Sequence, residues 1–230
     1  MSKVKGLIFD KDGTLFDFGA TWNAWAKTFL LRVCEGDLSK SQTVGAAIGF
    51  DFAGGIFARD SIVIASTSFQ VAQALLPHFP SHDQDSLMHM LNEEAAKAPQ
   101  VEAVPLVPFL SGLQAAGMKL GVATNDAEAP ARSHLNAAGV TGYFDFIAGF
   151  DSGHGGKPQP GQLLAFATAV GLAPSEIAMV GDSVHDLDAG RAAGMHCVAV
   201  LTGMATRDDL VDFADVVLSD IGGLPDWIAA

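Results

Sequence analysis

Leu7-Ile8-Phe9-Asp10-Lys11-Asp12-Gly13-Thr14-Leu15 is an apolar run that ends in two aspartates one residue apart, followed by Gly-Thr. A run this short, closed by glycine, reads as a buried strand ending in a turn. Side chains alternate along an extended chain, so Asp10 and Asp12 project to one side. Packing does not explain two carboxylates where a buried strand ends. Their repulsion must be offset by a cation, a shared proton, or both.

Past this strand the rhythm changes. Trp22, Trp25, Ala26, Phe29, Leu30 and Val33 recur at spacings of three and four, a helical stripe that breaks near Glu35-Gly36-Asp37. A second short helix is expected over Ser39 to Ala47, and a glycine-rich loop over Gly45 to Gly55. Further helices are expected over Ile62 to Leu76, stopped by Pro77 and Pro80, and over Asp83 to Ala98. No alternating strand pattern occurs here. The region reads as an all-helical insertion, drawn as a cap at 18–83 with the core at 1–17 and 84–230.

From about Pro105, strand and helix alternate. Helices are expected at Val107–Ala116, Pro130–Ala138, Pro160–Val170, Asp186–Ala193 and Ile221–Ile228. Strands are expected at Met118–Ala123, Phe144–Gly149, Ile177–Val180, His196–Leu201 and Ala214–Leu218. Such alternation predicts an α/β fold: a Rossmann-like, doubly wound, mostly parallel sheet covered on both faces. Ligands of these sheets sit at the carboxyl ends of strands. Three such ends carry polar clusters, Asp10/Asp12, Thr124/Asn125 and Asp182/Asp186, and a glycine-rich loop with His154 and Lys157 precedes the third.

With 230 residues, 49% hydrophobic and 17% charged, the chain suits one large domain or a domain with an insertion. A net charge of −13 without a basic block argues against nucleic acid or an anionic membrane as main partner. An anionic substrate would need local groups to reverse that field. Cys34 and Cys197 lack CxxC spacing and suit a reducing cytosol as small buried side chains. No signal-peptide order opens the sequence and no run of 18 apolar residues appears, so a cytoplasmic protein without a membrane span is expected.

Asp10, Asp12 and Asp182 offer hard oxygen ligands, few enough to suit Mg2+ with retained waters. Thr124 adds a hydroxyl beside backbone N–H groups, and Lys157 a positive charge. These are the parts of a phosphoryl-transfer site. Asp10-Lys11-Asp12-Gly13-Thr14, Thr124 after a strand, Lys157 before Pro158, and Gly181-Asp182-Ser183-Val184-His185-Asp186 resemble the four motifs of the haloacid dehalogenase (HAD) superfamily. Their order and spacing cover essentially the whole chain. The insertion resembles the mobile cap of the subgroup that includes phosphoglycolate phosphatases and β-phosphoglucomutases.

The resemblance implies that Asp10 attacks phosphorus to form an aspartyl-phosphate, while Asp12 protonates the leaving oxygen and then activates water. Magnesium would be held by an Asp10 carboxylate oxygen, the Asp12 backbone carbonyl and Asp182, with Asp186 ligating it or orienting its waters. Thr124 and Lys157 would hold the phosphoryl oxygens. Asn125 would join them or only fix the turn, and Asp186 could be a helix cap. Arg59, a rare cation of the insertion, either binds a substrate carboxylate or second phosphate or lies on the surface. Phe18, Trp22 and Trp25 are read as cap core, with one of them possible as a substrate wall.

The expected function is a magnesium-dependent phosphatase acting on a small phosphorylated metabolite, phosphoglycolate being the first guess, as monomer or homodimer. A dehalogenase or phosphonate hydrolase is disfavoured because those subgroups lack the aspartate supplied here by Asp12. A sugar phosphomutase of the β-phosphoglucomutase type shares every catalytic residue. An inactive HAD-fold binding module and a receiver-like signalling domain are the alternatives from another class.

Overall fold

The computed structural model describes residues 4–64 and 66–230. The chain begins with β1 (Gly6–Phe9), then α1 (Phe18–Val33), α2 (Leu38–Ala47), a ribbon of β2 (Phe50–Asp51) and β3 (Ile56–Phe57), α3 (Ser68–Leu75) and α4 (Gln84–Ala95). There follow α5 (Leu106–Ala115), β4 (Lys119–Ala123), α6 (Glu128–Ala137), β5 (Phe146–Ala148), α7 (Gly161–Val170) and β6 (Ile177–Gly181). The chain closes with α8 (Val184–Ala193), β7 (His196–Val200), α9 (Arg207–Leu210), β8 (Val216–Leu218) and α10 (Leu224–Ala229).

Six strands form one parallel sheet in the order β5-β4-β1-β6-β7-β8. The strand β1 is apolar throughout because both of its faces are covered. Leu7 and Phe9 enter one hydrophobic cluster, with Leu110 of α5, and Ile8 enters the opposite one, with Phe166 of α7. Gly121 allows α7 to close on that second face, since a Cβ there would lie 2.7 Å from the Phe166 ring. With β4 on one side of β1 and β6 on the other, the strand order turns around β1. The crevice at that switch point receives the ends of all three strands.

The insertion has its own core. Trp25 stacks on Phe29, with ring centroids 5.5 Å apart, and donates its indole N–H to the Leu91 carbonyl at 3.2 Å. Leu87, Leu91 and Ala95 of α4 share one cluster with α1, α2 and α3. The boundary expected at residue 83 therefore divides a single hydrophobic unit. Core and insertion are joined by two segments lying side by side: Asp17 N–H donates to Val101 O at 2.8 Å, and Ala103 N–H to Leu15 O at 2.9 Å. Asp17 also caps α1, accepting the Ala20 N–H at 2.7 Å.

The insertion is not all-helical. Phe50 and Phe57 pair across the β2–β3 ribbon with ring centroids 4.8 Å apart. Strands of two residues are too short to show alternation, and the glycines around them read as loop. The helix expected over 62–76 includes residue 65, which lies outside the described residues. On either side stand a 3-10 turn at Ile62–Ile64 and α3, whose start is fixed by a Thr67–Gln70 capping box. No helix among the described residues is long and apolar enough to cross a membrane.

Candidate active site

Each strand of the central trio delivers one acid or hydroxyl to the crevice. Asp10 follows β1, and its N–H extends the ladder to Val180 O at 2.8 Å. Asp182 follows β6, and Asp186 comes from the first turn of α8. Carboxylate oxygens of Asp10, Asp182 and Asp186, all buried, lie within 4.8 Å of one another. The Lys157 ammonium sits among them, 2.5 Å from Asp10 Oδ1 and 2.6 Å from Asp186 Oδ1.

Asp186 is part of a helix cap and also belongs to the acid cluster. Its Oδ2 accepts the Ser183 hydroxyl at 2.7 Å and the Ser183 N–H at 3.1 Å, closing the capping box of α8, while Oδ1 faces Lys157. Asn125 acts on the loop. Its side-chain amide donates to Lys157 O at 2.9 Å and accepts the Lys157 N–H at 2.8 Å, fixing the backbone that carries the lysine. Thr124 lies on the wall of the same cavity, its hydroxyl accepting the Asp126 N–H at 3.0 Å.

Three carboxylates face one ammonium, and the imbalance shows in the proton affinities of Asp10 and Asp182. Burial, reinforced by Asp186 and Asp12 and opposed by Lys157, pushes Asp10 up to about 7. Burial and then the Asp10 and Asp186 charges raise Asp182 well above the usual carboxylate range. Burial works against the Lys157 ammonium, but Asp10 and Asp186 outweigh it and hold that group above the ordinary lysine value. A buried oxygen set with excess negative charge fits a hard divalent cation. The chain also leaves room for the Asp182 carboxylate, because a Cβ on Gly13 or Gly203 would overlap it. Thr202 ties these two loops together, its hydroxyl donating to Gly13 O at 2.6 Å. The Asp12 side chain stands outside the acid cluster.

Asp12 lines the cavity but turns its carboxylate to a partner that sequence reasoning missed. Lys11 is fully buried, its ammonium 2.6 Å from Asp12 Oδ2, 3.4 Å from Asp126 Oδ2 and 2.9 Å from His134 Nδ1. His134 Nε2 lies 2.6 Å from the Ala95 carbonyl, which can only accept, so the proton is on Nε2 and Nδ1 accepts from Lys11. Burial, together with Lys11, lowers His134 to about 4, and burial raises Asp126 to about 6 against the pull of Lys11. The available signal was a cation placed between two motif aspartates.

The structure does not bring Arg59 to this cavity. Its guanidinium is exposed and pairs with Asp209 at 2.6 Å in an adjoining hollow that shares Ile64, Asp182 and Ser183 with the cavity. Phe18, Trp22 and Trp25 serve both as cap core and as cavity wall. His185 lines the cavity while exposed, and His154 packs near Phe146.

Residues 4–194 match the family described as "haloacid dehalogenase-like hydrolase". The chain belongs to that family. A phosphoglycolate phosphatase of Rhodospirillum rubrum is 30% identical over 97% of this chain and 90% of its own length. The probable phosphatase IndB of Dickeya dadantii is 29% identical over 89% and 84%. Among solved structures, a hydrolase from Pseudomonas syringae superposes with a TM-score of 0.69 at 21% identity, covering 98% of both chains. The parallel sheet covered by helices is the fold shared with that solved structure.

Proposed function

We propose that the protein is a magnesium-dependent phosphatase that hydrolyses a small phosphorylated metabolite through an aspartyl-phosphate, an acyl phosphate formed on Asp10. The observation that carries this reading is the meeting of Asp10, Asp182 and Asp186 around Lys157, with Asp12 and Thr124 on the same cavity wall. Relatives named as phosphatases support it.

Asp10, Asp182, Asp186 and the Asp12 carbonyl would hold Mg2+, and the ion, when bound, neutralises phosphoryl charge and favours the ionised Asp10 carboxylate. An Asp10 oxygen forms the new bond to phosphorus as the ester oxygen leaves with a proton from Asp12. Asp12 then takes a proton from the water that attacks phosphorus, and the Asp10–phosphorus bond breaks. Lys157 and Thr124 hold the phosphoryl oxygens, and Asn125 keeps the Lys157 backbone in place. We assign residues 18–100 to the cap, on the packing of α4 with α1. Closure of the cap would exclude bulk water from the ester.

The test is release of phosphate from p-nitrophenyl phosphate, with and without magnesium. The reading requires turnover that a chelator abolishes and magnesium restores. Equal rates in both conditions would overturn it. Phosphoglycolate, named for relatives, is the reference metabolite.

A further inference from the structure

The loop between β7 and α9 is anchored in the core at both ends. The Leu201 N–H donates to Ser219 O at 3.2 Å, and Leu210 shares a buried cluster with Leu187, Cys197 and Ala199. Between these anchors the loop meets the acid cluster. The Thr202 hydroxyl reaches Gly13 O at 2.6 Å, and Gly13 and Gly203 both close on one atom, Asp182 Oδ2. Only a residue without a Cβ lets the backbone come so near the carboxylate. With so little clearance, displacing the loop displaces that oxygen.

The same loop also meets the insertion. Met204, half-buried, packs against the hydrophobic cluster that holds α1 to α4 together. Asp209 Oδ2 takes the Arg59 guanidinium at 2.6 Å while accepting the Thr206 N–H at 2.7 Å and its hydroxyl at 2.6 Å. Arg59 is presented by a braced turn, in which Ala58 N–H donates to Gly49 O at 2.8 Å and the Ser61 hydroxyl to Ile48 O at 2.6 Å. Both partners of the ion pair thus stand on fixed backbone, which reduces the ordering cost that weakens exposed pairs. Arg59, Met204, Asp209 and Asp182 line one hollow beside the cavity.

We infer that Arg59 and Met204 are positioning residues of the metal site, joining the seat of the insertion to the Asp182 carboxylate through residues 202–209. While both are engaged, Gly203 is held against Asp182 Oδ2 and the carboxylate keeps the orientation in which it would hold magnesium. Coupling of this kind is reciprocal, so a bound ion also favours the seated insertion. Neither residue belongs to the acid cluster. The inference rests on the reading of Asp182 as a magnesium ligand and extends it to the insertion. It also has a sign of its own. Arg59 is a cation near a site for a dication, so by field alone its removal would tighten magnesium binding, whereas loss of the coupling weakens it.

Calorimetric titration of the intact protein with magnesium chloride reads the coupling without turnover. Arg59→Met keeps the stem and removes the charge, and it should weaken magnesium binding about 3-fold in about 0.02 M KCl. The deficit relative to the parent should vanish in about 0.5 M KCl, where the ion pair is screened. Arg59→Lys should stay near the parent, and in an Asp209→Asn background Arg59→Met should no longer weaken binding. Met204→Ala gives up apolar contact and no charge, and should weaken binding about 5-fold at both salt concentrations. Unchanged or tighter binding at low salt in either single variant would overturn the role of that residue, and in both the coupling itself. A parent protein that neither binds magnesium nor releases phosphate from p-nitrophenyl phosphate with it would instead overturn the phosphatase reading beneath the inference.

Discussion

Replacing Lys11 by methionine keeps most of the buried stem and removes the ammonium. Three partners lose it: Asp12 at 2.6 Å, His134 at 2.9 Å and Asp126 at 3.4 Å. Methionine fills similar space, so cavity formation contributes little. The larger effect is that the Asp12 and Asp126 carboxylates, 12% and 3% exposed, are left facing each other without a cation. Breaking a buried pair from one side costs about 3–5 kcal/mol. In a chain of this size that lowers Tm by about 6–20 °C. Thermal and urea unfolding of Lys11→Met, Asp126→Asn and the double variant would measure it. Asp126→Asn alone should cost less than Lys11→Met, and the double variant should regain part of the loss, with a coupling of at least about 1 kcal/mol. A Lys11→Met protein within about 1 kcal/mol of the parent, or strictly additive costs, would refute the account of Lys11 as the buried counter-charge.

Three further outcomes are expected. Asp10→Asn should retain the fold, judged by circular dichroism, while turnover falls by at least about 10⁴-fold; a normal rate with saturating magnesium would remove Asp10 as nucleophile. Gly203→Ala places a methyl group against the Asp182 carboxylate and should weaken magnesium activation by about 10–100-fold, an effect excluded if the activation midpoint does not move. His134 has the ordinary value of 6.5 when unfolded and about 4 when folded. The unfolded chain therefore takes up a proton that the native state refuses between those limits. The stability His134 contributes is complete above pH 6.5 and is lost as pH falls to 4, about 3 kcal/mol in all. His134→Gln should unfold less steeply with acid in that window, whereas parallel stability curves would contradict the assignment.

The alternation of strand and helix after Pro105 was legible because the strands are largely apolar and α5, α6, α7 and α8 are each followed within two residues by a glycine. The acid cluster was legible for a similar reason: each member stands directly after a strand or in a first helical turn. Arg59 and Lys11 show where such reading ends. Both are single cations whose roles are set by residues far along the chain, Asp209 for one and Asp126 with His134 for the other. The scarcity of cations in the insertion singled out Arg59 as a substrate contact. Its distant ion pair holds it elsewhere. The limit drawn at residue 83 failed to include α4 because a helix pattern does not say which core it joins. Only the contact of Leu87 and Leu91 with α1 does.

The side-by-side crossing of residues 15–17 and 101–103 bears on how the protein folds. In the sheet Gly6 pairs with Lys119, so β1 must find β4 across more than a hundred residues. A cap that folds first brings its own ends together and shortens the loop that remains to be closed to a few tens of residues. Loop-closure entropy depends on the logarithm of length, which makes the advantage about 1 kcal/mol. If the insertion folds first, it assists pairing of the strand that leads to Asp10. Trp25→Ala, which loosens only the cap, should slow refolding of the sheet in stopped-flow measurements, and an unchanged rate would assign the two units independent folding.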